Sequence, residues 1–292
     1  MKAKNLGFTM IELLTVISVI AILLALLIPA LSMVRRTAKE TQQRSQLTTI
    51  ELAITAFKSD YGDYPPSQER DEDGQIYCGA QSLTEALLGQ DLLGYHPDSR
   101  FRDDGEDGSG NKLYPKDGEV PDAEYEASLD ARRGTYMELQ TANAYKLEDL
   151  FGSGGTGRLN PERFVICDVF GVKRVTVGKE TFKAGTPILY YKAHTESKKM
   201  EGDTLQDARE SIYNYYENAD LIRLGKLPNP DPVNDPHKLD EELFYDEEKY
   251  KIIDPKVTKA TNRKWPHRPD SYILISAGAD SEYGTADDIF NF

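Results

Sequence analysis

At 292 residues and 32.8 kDa the chain has the length of one large domain or two small ones. Its formal net charge of −14 is unevenly spread: residues 1–46 hold Lys2, Lys4, Arg35, Arg36, Lys39 and Arg44 against Glu12 and Glu40, net +4, which leaves −18 on the other 246 residues. So acidic a body repels nucleic-acid backbone and anionic lipid, and a DNA- or RNA-binding role has little electrostatic support.

The first element is apolar. From Phe8 to Leu31 the only polar side chains are Thr9, Glu12, Thr15 and Ser18. About 24 helical residues at ~1.5 Å each reach roughly 36 Å, enough for a hydrocarbon core of ~30 Å. The run is too long for a secretory signal peptide, and no small-x-small cleavage site follows before Arg35. Lys2 and Lys4 favour a cytoplasmic N-terminus, although Arg35, Arg36 and Lys39 on the far flank weaken that bias. A generic signal anchor accounts for all of this except Glu12. An ionisable group in a span costs roughly 2 to 3 kcal/mol or more unless it is paired. The apolar run offers no cation, unless removal of the residues before Phe8 creates an α-amino group there.

The stretch KNLGFTMIELLTVISVIAILLALLIPAL resembles the N-terminus of type IV pilins and type II secretion pseudopilins. It has a short basic leader ending in glycine, then an aromatic residue, and a glutamate at the fifth position of the mature chain. The resemblance implies that a prepilin peptidase cleaves between Gly7 and Phe8 and methylates the new Phe8 amine. It also implies that Glu12 meets the Phe8 amine of an adjacent subunit during assembly. Pro29 falls where these families carry a helix-distorting proline; it removes one backbone donor and clashes with the preceding turn, making it a point for local unwinding.

Beyond the span, Leu47, Ile50, Ile54, Phe57 and Tyr61 recur at steps of three and four, one helical stripe. A single helix from Phe8 to about Ser59 is expected, its membrane half at 8–31 and its amphipathic half at 32–59. Gly62 and Pro65-Pro66 stop it, and the stretch AFKSDYGDYPP resembles the close of the long helix in major pseudopilins. In SLTEALLGQDLLG, Ser82 and Glu85 have capping-box spacing and Gly94 is a stop, predicting a short helix. Residues 98–135 read as an extended surface loop. Strands are predicted at 163–171, 173–177, 186–193 and 270–278, with a helix around 204–225 before the proline-rich LPNPDPVNDP. The expected fold is α+β and pilin-like: residues 60–292 form a periplasmic head whose antiparallel sheet packs on the long helix, with insertions at about 67–160 and 194–268. The chain is about twice the length of the usual major subunit, and the two insertions have no counterpart there.

The tail ISAGADSEYGTADDIFNF places Asp280, Asp287 and Asp288 around Gly284. A hard cation such as Ca²⁺ takes six to eight oxygens of this kind, although a bare acidic tail is more often simply solvated. The stretch resembles the calcium loop of the major pseudopilin, which assigns Ca²⁺ to Asp280, Asp287 and Asp288, with the carbonyls of Ala277 and Glu282 as further ligands. The two aspartate clusters stand closer here than in that family, leaving open which of Asp287 and Asp288 binds. Cys78 and Cys167 have no metal-ligand spacing, and in an exported chain either a disulfide or two buried thiols fits them.

Other patterns favour plain readings. Gly152, Gly154 and Gly157 fit G-x-G-x-x-G, but no strand precedes them and no lysine follows, so a loop is expected. DEDG at 71–74 and DDGEDG at 103–108 lack the EF-hand glutamate. His96, His194, His237 and His267 are scattered, and Tyr213, Tyr215 and Tyr216 read as packing. No motif supports an enzyme.

The function expected from residues and resemblance together is a structural subunit. It is anchored in the bacterial inner membrane by one span, N-terminus cytoplasmic and head periplasmic, and polymerises into a type II secretion pseudopilus for protein export. The resemblance supplies its partners: prepilin peptidase, other copies or other pseudopilins, and an inner-membrane assembly platform with a cytoplasmic ATPase. The alternatives are a type IV pilus subunit, major or minor, or a membrane-tethered binding module using a pilin export signal, its insertions forming a carbohydrate or protein site.

Overall fold

The structure, a computed structural model, describes residues 9–67, 78–152, 159–197, 211–246 and 265–292. In chain order the helices and strands are α1 (Met10–Tyr61), α2 (Gly79–Leu88), α3 (Asp122–Ala131), α4 (Leu139–Ala142), β1 (Ala144–Lys146), α5 (Leu147–Phe151), β2 (Phe164–Ile166), β3 (Lys173–Val177), β4 (Glu180–Ala184), β5 (Leu189–Lys192), α6 (Ala219–Ile222), β6 (Tyr245–Asp246), β7 (Trp265–Pro266), β8 (Tyr272–Ser276) and β9 (Ile289–Phe290). Two compact units divide the chain, Met1–Gln42 and Gln43–Phe292.

In the first unit, large apolar side chains from Met10 to Val34 are 49–88% exposed. The helix is long and apolar enough to cross a membrane. The helix continues through Pro29.

In the second unit, the rest of α1 lays the expected stripe on the core: Leu47, Ile50, Ile54 and Phe57, joined by Ala53, are 0–3% exposed. Gly62, at φ +86°, ends the helix by donating its amide to Lys58 O at 2.7 Å. The central sheet is antiparallel in the order β5-β8-β9, with Leu189 opposite Ile275. β2, itself paired with β1, adjoins the lead-in to β5 through Ile188 N→Ile166 O and Asp168 N→Thr186 O, both 2.8 Å.

Successive residues on β5 and β8 face opposite ways, and both faces are covered. Tyr190, Tyr272 and Leu274 join the α1 stripe and Leu83 and Leu87 of α2 in one core. Leu189, Tyr191, Ile273 and Ile275 join Ile212, Tyr213, Leu221, Phe244 and Tyr245 in another. The second insertion therefore supplies a second core on the far face of the sheet. This explains why ILYY and YILIS are unbroken apolar runs instead of alternating ones.

Three expectations need correction. Residues 98–135 are not a plain surface loop. They contain α3 and bury Phe101, Leu113, Tyr114 and Arg132, because Glu85 and Arg132 supply polar anchors. Arg132 pairs with Asp91 at 2.5 Å, and buried Glu85 accepts from Gln90 at 2.8 Å and from the Ser99 hydroxyl. The helix expected around 204–225, where described, is only a 3-10 turn at Tyr215–Asn218 followed by α6. Asn214 accepts from Tyr216 N, while Ile212 and Tyr213 are drawn into the core. The predicted capping box at Ser82 is not made. α2 starts three residues earlier, Ser82 lies inside it, and Gly89 closes it at φ +84°. β4 escaped the sequence reading, although KRVTV followed by Gly178-Lys179 is a two-residue hairpin signal.

Candidate assembly segment and C-terminal loop

The N-terminal site begins at Thr9, the residue before α1. Glu12 N donates to Thr9 Oγ1 at 3.3 Å, while Glu12 Oε2 accepts from Thr9 N at 2.8 Å and Thr9 Oγ1 at 2.7 Å. This is a capping box, readable as T-x-x-E and missed at the sequence level. It corrects the premise that Glu12 has no partner without a cation. The carboxylate also lies in the first turn, where the helix dipole favours negative charge. Thr15 and Ser18 bond back to Glu12 O at 3.0 Å and Leu14 O at 2.7 Å, so these polar groups are satisfied locally. Gly7 and Phe8, the expected cleavage and methylation positions, lie outside the described residues.

The second site follows β8. The chain turns at Gly278, at φ +69°, where a Cβ would stand 2.3 Å from Asp287 O, so the loop closes tightly on itself. Asp287 Oδ2 accepts from Ala279 N at 2.8 Å and Asp280 N at 3.2 Å. Thr285 Oγ1 lies 2.6 Å from Asp287 Oδ1, 3.0 Å from Asp280 Oδ2 and 3.3 Å from Glu282 O. One hydroxyl proton serves only one of these three acceptors. Burial raises the Asp280 pKa. At Asp287 burial acts the same way, but hydrogen bonds led by that from Thr285 outweigh it and the pKa is lowered. Asp288 points elsewhere: its Oδ2 accepts from Gly284 N at 2.7 Å, its Oδ1 is buried without a hydrogen-bond partner, and burial pushes its pKa up to about 7. Among the described residues no three His, Cys, Asp or Glu side chains form a ready metal-ligand group. The oxygens crowded around Thr285 nevertheless suit a hard cation by donor type. They come from Asp280, Asp287 and the Glu282 carbonyl.

The second insertion holds this loop from outside. Lys226 and Lys238 pair with Glu282 at 2.8 and 3.1 Å. Lys238 N donates to Tyr283 O at 2.9 Å, and Tyr283 N to His237 Nδ1 at 3.1 Å. Burial pulls the His237 pKa down to about 4. A Cβ on Gly284 would stand 2.3 Å from Lys238 C, so glycine permits the approach. Nothing in the local sequence signals Lys226, His237 or Lys238, because they lie some 45 to 55 residues before the loop they hold.

The remaining candidates fall apart in space. Both cysteines are free and buried, and the bridge left open by the sequence is not formed: Cys78 Sγ donates to Asn218 Oδ1 at 3.4 Å and Cys167 Sγ to Val165 O at 3.8 Å. Gly152 caps α5, whereas Gly154, Gly157 and DEDG lie outside the described residues. Asp104 and Asp107 turn back on their own loop to Glu106 N at 3.0 Å and Ser109 N at 2.7 Å. His194 meets Glu217 at 3.3 Å, and His267 stacks on Phe292.

Residues 2–28 match the family described as the prokaryotic N-terminal methylation motif. The chain thus carries the signature of type IV pilin-like, prepilin-cleaved proteins, a structural class, on a helix able to anchor it in a membrane by a single pass. No curated protein and no solved structure matches the chain.

Proposed function

We propose that the chain is a pseudopilin-like structural subunit of a type II secretion pseudopilus. It is cut between Gly7 and Phe8, methylated at Phe8, and anchored in the inner membrane with its head in the periplasm. The observation that carries this reading is the methylation motif ending in an exposed apolar helix, with Glu12 in its first turn. The capping box holds Glu12 Oε2 close to the backbone amide of Thr9, the residue after Phe8. Cleavage then creates a cation on Phe8, one residue before the amide that this carboxylate accepts from, and in a filament the amine of a neighbouring copy competes for the same oxygens. Other copies or other pseudopilins, prepilin peptidase and an assembly platform with a cytoplasmic ATPase are the partners of this reading. The chain's own work is packing, and no catalysis is assigned to it.

Co-expression with a prepilin peptidase, followed by mass spectrometry, should give a chain beginning at methylated Phe8; a retained Met1 defeats the proposal. Glu12→Ala should leave the chain in the membrane fraction and reduce sheared filament by about tenfold or more. Normal filament yield would remove the assembly role of Glu12.

The same reading places Ca²⁺ in the C-terminal loop on Asp280, Asp287 and the Glu282 carbonyl. Asp288 and the Ala277 carbonyl join if the loop adjusts. The ion would serve together the three acceptors that the single Thr285 hydroxyl hydrogen cannot. Chelation should lower the melting temperature by about 5–10 °C, since saturation at 100 times Kd stabilises by about 2.7 kcal/mol. An unchanged melting curve counts against the ion.

A further inference from the structure

The head buries its largest aromatics almost completely, Tyr190, Tyr191, Tyr283 and Phe244 among them. Trp265 and Phe292 stay partly open, and one further place gathers several exposed apolar side chains. Between α4, β1 and α5 on one side and the β3–β4 hairpin on the other lies a cleft of about 630 Å³. Leu139, Val177 and Phe182 line it and remain 46%, 50% and 42% exposed. Val175 lies opposite Phe182 in the hairpin register, so Val175, Val177 and Phe182 share one face; Val175 is buried at the base and the other two stay open. Tyr145 and Phe164, both half-buried, complete the apolar wall. A volume of this size, mostly apolar with a few polar groups, is typical of a small-ligand site.

The polar groups narrow the ligand. Gln140 and Asp149 reach the cleft with no side-chain partner among the described residues. Asn143 also lines it and gives its amide hydrogens to Asp168 O at 2.9 Å, leaving its side-chain oxygen for other use. Lys146 is paired with Glu148 at 3.4 Å, and with Asp149 the charged residues that line the cleft sum to −1. Phosphorylated or carboxylated ligands are therefore disfavoured by charge. A neutral ring with one apolar face and several hydroxyls meets both demands, its C–H face against Phe182 or Tyr145 and its hydroxyls against Gln140, Asn143 and Asp149.

We infer that this cleft binds a neutral saccharide. The inference does not depend on filament assembly or on calcium. It gives the first insertion and the β3–β4 hairpin a binding task separate from packing.

The test is ligand-observed NMR on the full chain in a zwitterionic, sugar-free detergent, with maltohexaose, cellohexaose and the fully N-acetylated chitohexaose titrated separately. At least one should saturate with Kd around 1 mM, equivalent to about 4 kcal/mol. Phe182→Ala should weaken it about tenfold, as should Gln140→Ala combined with Asp149→Ala. Val233→Ala, on a side chain 84% exposed in the proline-rich loop outside the cleft, should leave it unchanged. If Phe182→Ala lowers the melting temperature, Val177→Thr replaces it. Failure of all three sugars to saturate overturns the inference. So does saccharide binding that survives both hairpin variants, or cleft-dependent binding of a lysine-containing apolar peptide in the absence of any sugar binding.

Discussion

The two halves of α1 treat the same kind of side chain in opposite ways. Up to Val34 the large apolar residues are exposed and the hydroxyls of Thr15, Ser18 and Ser32 return to carbonyls three or four residues back. From Gln43 onward the apolar stripe is buried, and the buried amides reach far along the chain: Gln46 Nε2 donates to Cys167 O at 2.9 Å, and Gln43 Oε1 accepts from Val169 N at 2.9 Å. Local satisfaction suits a helix whose surroundings are lipid or other helices, where no distant backbone is at hand. Long-range satisfaction marks a helix whose surroundings are its own fold.

The sharpest way to break this contrast is to remove the same side chain from each half. Ile54→Ala, at a fully buried site, should destabilise the head by about 3 kcal/mol and lower its melting temperature by roughly 6–12 °C in calorimetry. Ile17→Ala, in the exposed half, should leave the head transition within about 1 °C. Equal shifts would mean that the halves do not differ as described.

An effect of similar size tests the head's long-range contacts through pH. His237 titrates at about 4 in the fold and near 6.5 when unfolded. Between those values the unfolded chain holds the extra proton, so stability falls as pH drops from about 6.5 to 4. The loss comes to about 3 kcal/mol, at ~1.4 kcal/mol per pH unit across that window. His237 faces the cation Lys226 and the carboxylates Glu282 and Asp235, which act in opposite directions, and burial dominates both. His237→Asn keeps an acceptor for Tyr283 N and should flatten the melting temperature over that pH window.

The smallest effect belongs to the other half. Thr9→Ala removes the hydroxyl of the capping box but keeps the Glu12 carboxylate, and it should cost about 1 kcal/mol at the first turn. Read by amide exchange of the first turn in micelles, it should speed exchange about fivefold while filament yield stays near normal. A filament loss as large as that of Glu12→Ala would show that the cap, and not the charge, serves assembly.

Much of this was legible along the chain. The apolar span, the Leu47–Ile50–Ile54–Phe57 stripe, the stop at Gly62 and strand β3 all rest on spacing within one element, and local geometry enforces such spacing. The capping box at Thr9 was equally local and went unread. The site that follows β8 was half legible: the aspartates stand in the sequence, but their division into an Asp280–Asp287 pair and an Asp288 bound to Gly284 depends on how Gly278 and Gly284 turn the loop.

The sequence by itself determined an anchoring helix with a processing signature, an acidic α+β head, and the candidate residues near the two ends of the chain. Tertiary structure alone decided that the second insertion builds a core on the far face of the sheet, that Lys226, His237 and Lys238 brace the C-terminal loop, and that a hairpin leaves Val177 and Phe182 open beside α5. The physical reason is range. Helical stripes, caps and glycine stops are properties of neighbours a few residues apart, whereas a brace, a second core or a cleft exists only when segments tens of residues apart meet, and no local periodicity records that meeting.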